Sequence, residues 1–226
     1  MKSYKQITKE MVDDNIFSKL EKYVELIEQE NQKINLTGFS GDRLWEKGIY
    51  ESLFLLSNIF QNENLKNKKM LDIGSGVGFP SIPFFIANNN FELTIYEPIQ
   101  KRVNFLKMVA NELNLKVNIK KIRAEDSKEE KRFDYITARA VSELKILIEI
   151  SHFLGKKGGK FFFLKGPAIF DEIKRAEAEL KIFKIKNYNS TKYISSSNET
   201  NYIFWFEKNS ETPKGYPRKW AKIKKP

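Results

Sequence analysis

The chain has 226 residues, 41% of them hydrophobic, which suffices for one α/β domain with a substantial core, or one domain plus a small appendage. It has no cysteine and a single histidine, His152, which excludes disulfides, iron–sulfur clusters, thiolate zinc sites, cysteine nucleophiles and any histidine-rich metal site. The net charge is +11 and uneven: residues 1–60 carry 8 Lys/Arg against 10 Asp/Glu, the rest 32 against 19, so a polyanionic partner is expected unless a lysine-rich composition merely tints the whole chain.

Residues 7–28 read as an amphipathic helix, with Ile7, Met11, Phe17, Leu20, Val24 and Ile27 on one face. After a polar break and Asn35-Leu36-Thr37-Gly38, Asp42 can cap a second helix to about Phe60, burying Leu44, Ile49, Leu53, Leu56 and Phe60. From Leu65 short apolar strands alternate with helices. Strands are predicted at 70–73, 93–96, 117–122, 133–138, 160–164, 182–186 and 202–207. Helices are predicted at 80–88, 101–114, 144–154 and 168–180. Such alternation builds a mainly parallel sheet with helices on both faces. Ser195–Asn198 and the segment 213–226 are of low complexity, and the last 13 residues hold six bases and no acid. Apolar runs are short, such as Phe161–Leu164, against the roughly 20 residues a spanning helix needs. Met1–Gln6 leads into no apolar segment, so no signal peptide and no membrane are expected, and the cytoplasm is the default compartment.

The sharpest feature is Leu71-Asp72-Ile73-Gly74-Ser75-Gly76-Val77-Gly78-Phe79-Pro80, between a strand and a helix. Ligands of open α/β sheets bind at the carboxyl ends of the strands, where this loop lies. A dinucleotide fingerprint would need a glycine where Phe79 stands, which disfavours an NAD oxidoreductase, and a P-loop would need a lysine after Gly78. Asp72, just before the loop, suits a ligand with a positive centre. Glu97 ends the second strand and can accept from both hydroxyls of a ribose. Ala124-Glu125 follows the third strand, where an adenine ring would lie. Together these parts fit S-adenosylmethionine, with Ser75, Gly76, Gly78, Glu97, Ala124 and Glu125 as its contacts.

The fourth strand ends in Thr137-Ala138-Arg139-Ala140, without the Asn/Asp-Pro-Pro-aromatic motif of enzymes that methylate exocyclic amines. Arg139 cannot act as a base, but it can clamp a carboxylate or phosphate. Carbon-5 methylation of pyrimidines needs a thiolate, and no cysteine exists. Ring nitrogens with a free lone pair, such as N7 of guanine, remain attractive acceptors because they need no base.

Asn35-Leu36-Thr37, the glycine loop through Phe79-Pro80, Lys101-Arg102-Val103, Arg139-Ala140, Leu164-Lys165-Gly166 and Tyr216-Pro217-Arg218-Lys219 stand in an order that resembles the bacterial 16S ribosomal RNA guanine-N7 methyltransferases of the RsmG/GidB family. The resemblance runs from the first helix to the basic tail. It implies a Rossmann-like α/β methyltransferase fold, with a helical cap at 1–64, the methyltransferase domain at 65–212 and a basic tail at 213–226. It implies S-adenosylmethionine as cofactor, 16S RNA or the small ribosomal subunit as partner, and N7 of a guanosine near the decoding site as acceptor. It also implies cofactor contacts at Gly74, Phe79, Ala124, Glu125 and Arg139, and no metal. Where the family usually carries Trp-x-Arg-His before Asp-Ser-Leu, this chain has Gly48 for the histidine and Glu51 for the aspartate.

Lys165 ends the fifth strand, where it can meet phosphate or guanine O6, or be a solvated strand end. Tyr216, Arg218, Lys219 and Trp220 interleave aromatics with charge, which suits base stacking and phosphate contact, the other reading being a frayed terminus. His152 reads as a helix-end cap or surface group rather than a catalyst. A monomer is expected. A small-molecule methyltransferase would not need the basic tail, and a non-catalytic RNA-binding protein would bind no cofactor.

Overall fold

The computed structural model describes residues 2–223, so Met1 and the last three residues of the basic tail lie outside the described residues. Helix α1 (Tyr4–Met11) opens on a capping box: the Ser3 side chain accepts from the Gln6 N–H, and the Gln6 side chain accepts from the Ser3 N–H. Asp13 then accepts from the Ile16 N–H and starts α2 (Asp14–Asn31). The single helix expected over 7–28 is therefore two, because a side-chain cap at Asp13 replaces the backbone continuation. After the Asn35 loop come α3 (Gly41–Arg43), a π-helical segment Leu44–Tyr50 and α4 (Glu51–Phe60). The five apolar residues expected on the buried side of this run are all buried.

The alternating region follows as β1 (Lys69–Ile73), α5 (Ser81–Ala87), β2 (Glu92–Tyr96), α6 (Gln100–Glu112) and β3 (Val117–Lys120). Next stand β4 (Phe133–Arg139), α7 (Leu144–Ser151), β5 (Gly155–Lys165), α8 (Ile169–Arg175), α9 (Glu177–Ile182), β6 (Tyr188–Ile194), β7 (Thr200–Glu207) and the short α10 (Trp220–Ile223). The strand expected at 182–186 is absent. Phe183 and Ile185 are buried and alternate like a strand, yet the Phe183 and Ile185 amides donate back to the carbonyls of Glu179 and Leu180. Lys184 takes a positive φ of 54°, so the segment is a helix end. The last strand pair is instead the hairpin β6–β7. Its turn is the low-complexity Ser195–Asn198, where the Ser195 side chain accepts from the Glu199 N–H. A mostly polar edge strand such as β6 carries too little apolar signal to read from sequence.

The strand order is β3-β2-β1-β4-β5-β7-β6. The β2/β3, β1/β4 and β4/β5 pairs are parallel, and β5/β7 and β6/β7 are antiparallel, which is the mainly parallel α/β sheet expected. The chain packs as two compact units. One holds Met1–Asn67 and Ser75–Lys121, the other Lys68–Gly74 and Ile122–Pro226. In the first, helix α2 buries Leu20, Tyr23, Val24 and Ile27, and β2 buries Leu93 and Ile95. In the second, Phe161 and Phe163 of β5 pack on Phe204 and Phe206 of β7, so the phenylalanine run is strand core as expected.

His152 corrects the surface reading. It is fully buried, its ring lies against Phe161, Phe183 and Phe206, and its Nδ1 is 2.8 Å from the Thr212 hydroxyl. Lys208 is buried beside it and donates to the carbonyls of His152 (2.8 Å) and Gly155 (2.9 Å), a cation at the end of a helical run. Burial, with the Lys208 charge as a second push, lowers the His152 pKa from 6.5 to about 3. The unfolded chain thus takes up a proton near pH 6.5 that the folded chain refuses until about pH 3. Stability from the neutral ring is complete above pH 6.5 and drains away as pH falls towards 3, by about 3 kcal/mol between pH 7 and pH 4. Urea unfolding over that range should show this loss, and His152→Leu should flatten it. An unchanged pH slope in that variant would assign the loss to other groups.

Candidate active site

In the first unit the glycine loop is a turn that feeds directly into a helix. The Ser75 carbonyl accepts from the Gly78 (2.9 Å) and Phe79 (3.0 Å) amides, and the Gly78 carbonyl accepts from Ile82 N–H at 2.7 Å, launching α5. Gly76 sits at φ +65°, and a Cβ placed on it would meet no atom within 4 Å, so the loop presents bare backbone to open space there. Gly78, at φ +115°, has no such room: a Cβ would stand 2.6 Å from Ile82 and from the Tyr23 hydroxyl.

Glu97 is the acid the loop closes on. It is 1% exposed, and its Oε2 accepts from the Gly76 N–H (3.0 Å) while Oε1 accepts from the Ile99 N–H (2.9 Å). An Arg102 Nη1 stands 4.0 Å from Oε2. The carboxylate at the end of β2 is thus aimed by two backbone donors, and each oxygen keeps accepting capacity for a ligand. Ser75 Oγ is buried and has no hydrogen-bond partner among the described residues.

Two further residues support the loop: Tyr23, which was not singled out from sequence, and Gly48, which stood out there only as a departure from the family pattern. Tyr23 of α2 donates its hydroxyl to the Val77 carbonyl (2.6 Å), and its ring lies edge-on to Phe79. A buried tyrosine on an amphipathic helix needs an acceptor for its hydroxyl, and that need was the available signal. Gly48, in the π-helical segment, lies under the Phe79 ring: a Cβ there would stand 2.5 Å from it. The space a side chain at position 48 would need is filled by Phe79, while Glu51 pairs with Lys47 at 2.8 Å in a buried ion pair. The Asn35-Leu36-Thr37 motif has a structural account too. Asn31 accepts from the Leu36 and Thr37 amides, and Lys101 donates to the Asn35 carbonyl.

In the second unit, β1 ends at Ile73, and Gly74 follows at a φ of +67°, where a Cβ would stand 2.8 Å from the Val141 side chain. Asp72 is fully buried and accepts from the Thr137 hydroxyl at 2.9 Å. Ala124–Asp126 forms a 3-10 turn. Glu125 Oε1 is buried without a partner among the described residues. Burial raises the Glu125 pKa, opposed by its backbone hydrogen bond and by Arg123, with Asp126 adding to the rise. Such a carboxyl gains from a ligand that brings a donor to it. Arg139 is half-buried at the end of β4, opposite Leu164 of β5. Asp134, near the start of β4, pairs with Lys156 at 2.9 Å and accepts from the Lys69 N–H.

Within the first unit, the open space over Gly76, the aimed carboxylate of Glu97 and the unpartnered Ser75 oxygen fit a ligand with hydroxyl donors; within the second, the unpartnered Glu125 oxygen fits one with an amino donor; S-adenosylmethionine carries both. No group of three His, Asp or Glu residues able to hold a metal occurs among the described residues.

The residues expected to face RNA are placed differently. Lys165 is buried, ion-paired with Glu172 at 2.5 Å and bonded to the Ser142 carbonyl, while Glu172 also accepts from the Leu144 N–H that starts α7. The ammonium is thus spent inside the chain, which corrects both the phosphate reading and the solvated one. The described part of the tail is docked rather than frayed. Tyr216 sits edge-on to Phe183, and Arg218 lies over the Tyr216 ring. Arg218 also grips Glu149 of α7 with Nε (2.9 Å), Nη2 (2.6 Å) and its own N–H (2.8 Å). Glu149 is 1% exposed, so this fork neutralises a buried carboxylate. The Trp220 ring covers the Arg123 guanidinium at 4.9 Å. Of the four, Lys219 is the one exposed residue.

A family model described as rRNA small subunit methyltransferase G matches residues 16–200. The chain is 43% identical over 213 residues to the ribosomal RNA small subunit methyltransferase G of Mycoplasmopsis pulmonis, covering 92% of each. It is 45% identical over 199 residues to the protein of that name from Mycoplasma mobile, covering 84% of this chain and 88% of the relative. Among solved structures, an O-methyltransferase from Bacillus cereus in complex with SAH superposes with a TM-score of 0.59 at 16% identity, over 83% of this chain and 91% of that one. At that identity the likeness speaks for the fold alone.

Proposed function

The chain belongs to the GidB family, the rRNA small subunit methyltransferases G, and from that membership we propose that it methylates N7 of a guanosine in 16S ribosomal RNA near the decoding site. It is an S-adenosylmethionine-dependent methyltransferase acting on ribosomal RNA. The observation that carries the reading from the chain's own atoms is Glu97, a buried carboxylate whose two oxygens are aimed by the amides of the glycine loop and of Ile99.

We assign the methionine end of the cofactor to Gly74, Ser75, Gly76, Gly78 and Phe79, the ribose to Glu97, and the adenine to Ala124 and Glu125. Arg139 takes the methionine carboxylate or the acceptor guanosine. Bound, the cofactor supplies an electrophilic methyl group. N7 of guanine carries no proton, so the lone pair can attack without a base, and the fully buried His152 is not needed as one. The task left to these residues is orientation, which can be worth up to about 7–11 kcal/mol. Lys219 and the positive balance beyond residue 60 supply attraction to a polyanion. We expect a monomer working in the cytoplasm. No helix of the described residues is long and apolar enough to cross a membrane.

The test is mass mapping of 16S RNA from cells with and without this gene, joined to methylation of unmodified RNA and of unmodified small subunits by the purified protein. One N7-methylguanosine should disappear with the gene and reappear with the protein. Methylation of small molecules but of neither RNA form would favour the small-molecule reading, and saturable RNA binding without cofactor binding the non-catalytic one.

A further inference from the structure

The docked tail has a consequence for the adenine turn, and this inference rests on the assignment of Ala124 and Glu125 to adenine. Helix α7 packs against that turn. The same helix carries Glu149, the buried carboxylate that Arg218 holds by three hydrogen-bonding groups. Two residues on, Trp220 closes over the guanidinium of Arg123, the residue that opens the turn and whose carbonyl accepts from the Asp126 N–H. Beyond it Ile223 is buried, and its N–H and that of Lys222 donate back to the Lys219 carbonyl, so Trp220 sits on an ordered turn. Tail and turn therefore share one support in α7 and meet again at the Trp220–Arg123 stack.

We propose that Trp220 and Arg123 are positioning residues for the cofactor: the stack holds the turn Ala124–Asp126 in the geometry that receives adenine, so the tail acts on the cofactor before it acts on RNA. Arg123 is exposed and would otherwise sample many rotamers. Covering it with an indole removes that freedom in advance, and a turn ordered in advance binds more tightly because less order has to be imposed on binding.

The experiment measures binding of S-adenosylhomocysteine and of adenosine to the full chain and to Trp220→Leu, Trp220→Phe and Arg123→Gln. Trp220→Leu and Arg123→Gln should each weaken S-adenosylhomocysteine about two- to fivefold, with melting temperatures near that of the unmodified protein. Trp220→Phe, which keeps a ring face for the guanidinium, should recover most of the loss. Adenosine, which lacks the methionine arm, should be weakened by the same factor, placing the effect at the adenine end. Unchanged affinity in both Trp220→Leu and Arg123→Gln would overturn the proposal. So would a loss confined to unmethylated 16S RNA, which would make the tail an RNA contact. If the unsubstituted chain binds neither small molecule, it is the adenine assignment that has failed rather than the role of the tail.

Discussion

Glu97→Ala is expected to lower affinity for S-adenosylhomocysteine about a hundredfold or more. The carboxylate is buried, and the amides of Gly76 and Ile99 fix both its oxygens in place before any ligand arrives. Hydrogen bonds to a charged acceptor are worth about 1.5–3 kcal/mol each, and a ribose brings two hydroxyls. Alanine also leaves two loop amides without their acceptor, so some stability should go with the affinity. Comparison with 2′-deoxy-S-adenosylhomocysteine separates the two effects. The unsubstituted protein should discriminate strongly against the missing hydroxyl, and the alanine variant should not. Equal discrimination by both would mean that Glu97 only braces the loop.

Arg139→Ala should lose nearly all methyl transfer, and Arg139→Lys much of it. The side chain stands half-buried at the end of β4, on the carboxyl edge of the sheet. A guanidinium there can hold a carboxylate or a guanosine by paired hydrogen bonds, a geometry that a lysine ammonium cannot reproduce. A competing structural role would be to pair with a nearby acid such as Asp134, and Asp134 is already met by Lys156 and the Lys69 amide. Single-turnover rates and melting temperatures decide the matter. An Arg139→Ala protein that melts several degrees lower but turns over normally once folded would move the methyl-transfer step elsewhere.

The parts of the site legible in the sequence share a physical origin. The glycine turn is local: left-handed backbone at Gly74 and Gly76 favours glycine whatever surrounds it. Glu97 and Glu125 stand at or just after strand ends, and strand ends follow from apolar periodicity within a few residues. The departure at Gly48 was visible, but its meaning was not. That a phenylalanine ring 31 residues further along occupies the vacated space depends on how the π-helical segment packs, which no spacing rule reports.

The sequence by itself determined the class of sheet, the position of the cofactor loop, the acids that follow it and, through motifs spread along the whole chain, the family. Each of these rests on neighbours within one element or on residue order. Tertiary structure alone decided what the long polar side chains do. Arg218 finds Glu149 69 residues away, His152 finds Thr212 at a separation of 60, and Tyr23 finds Val77 at 54. A lysine, arginine or histidine reads the same in sequence whether it faces water, RNA or a buried carboxylate. Its chemistry is settled by burial and by the partner that burial makes obligatory, because an unpaired charge in the interior costs more than the fold can spare. So the described part of the basic tail, legible only as charge and aromatics, becomes in the fold a strap held by Glu149 and Arg123.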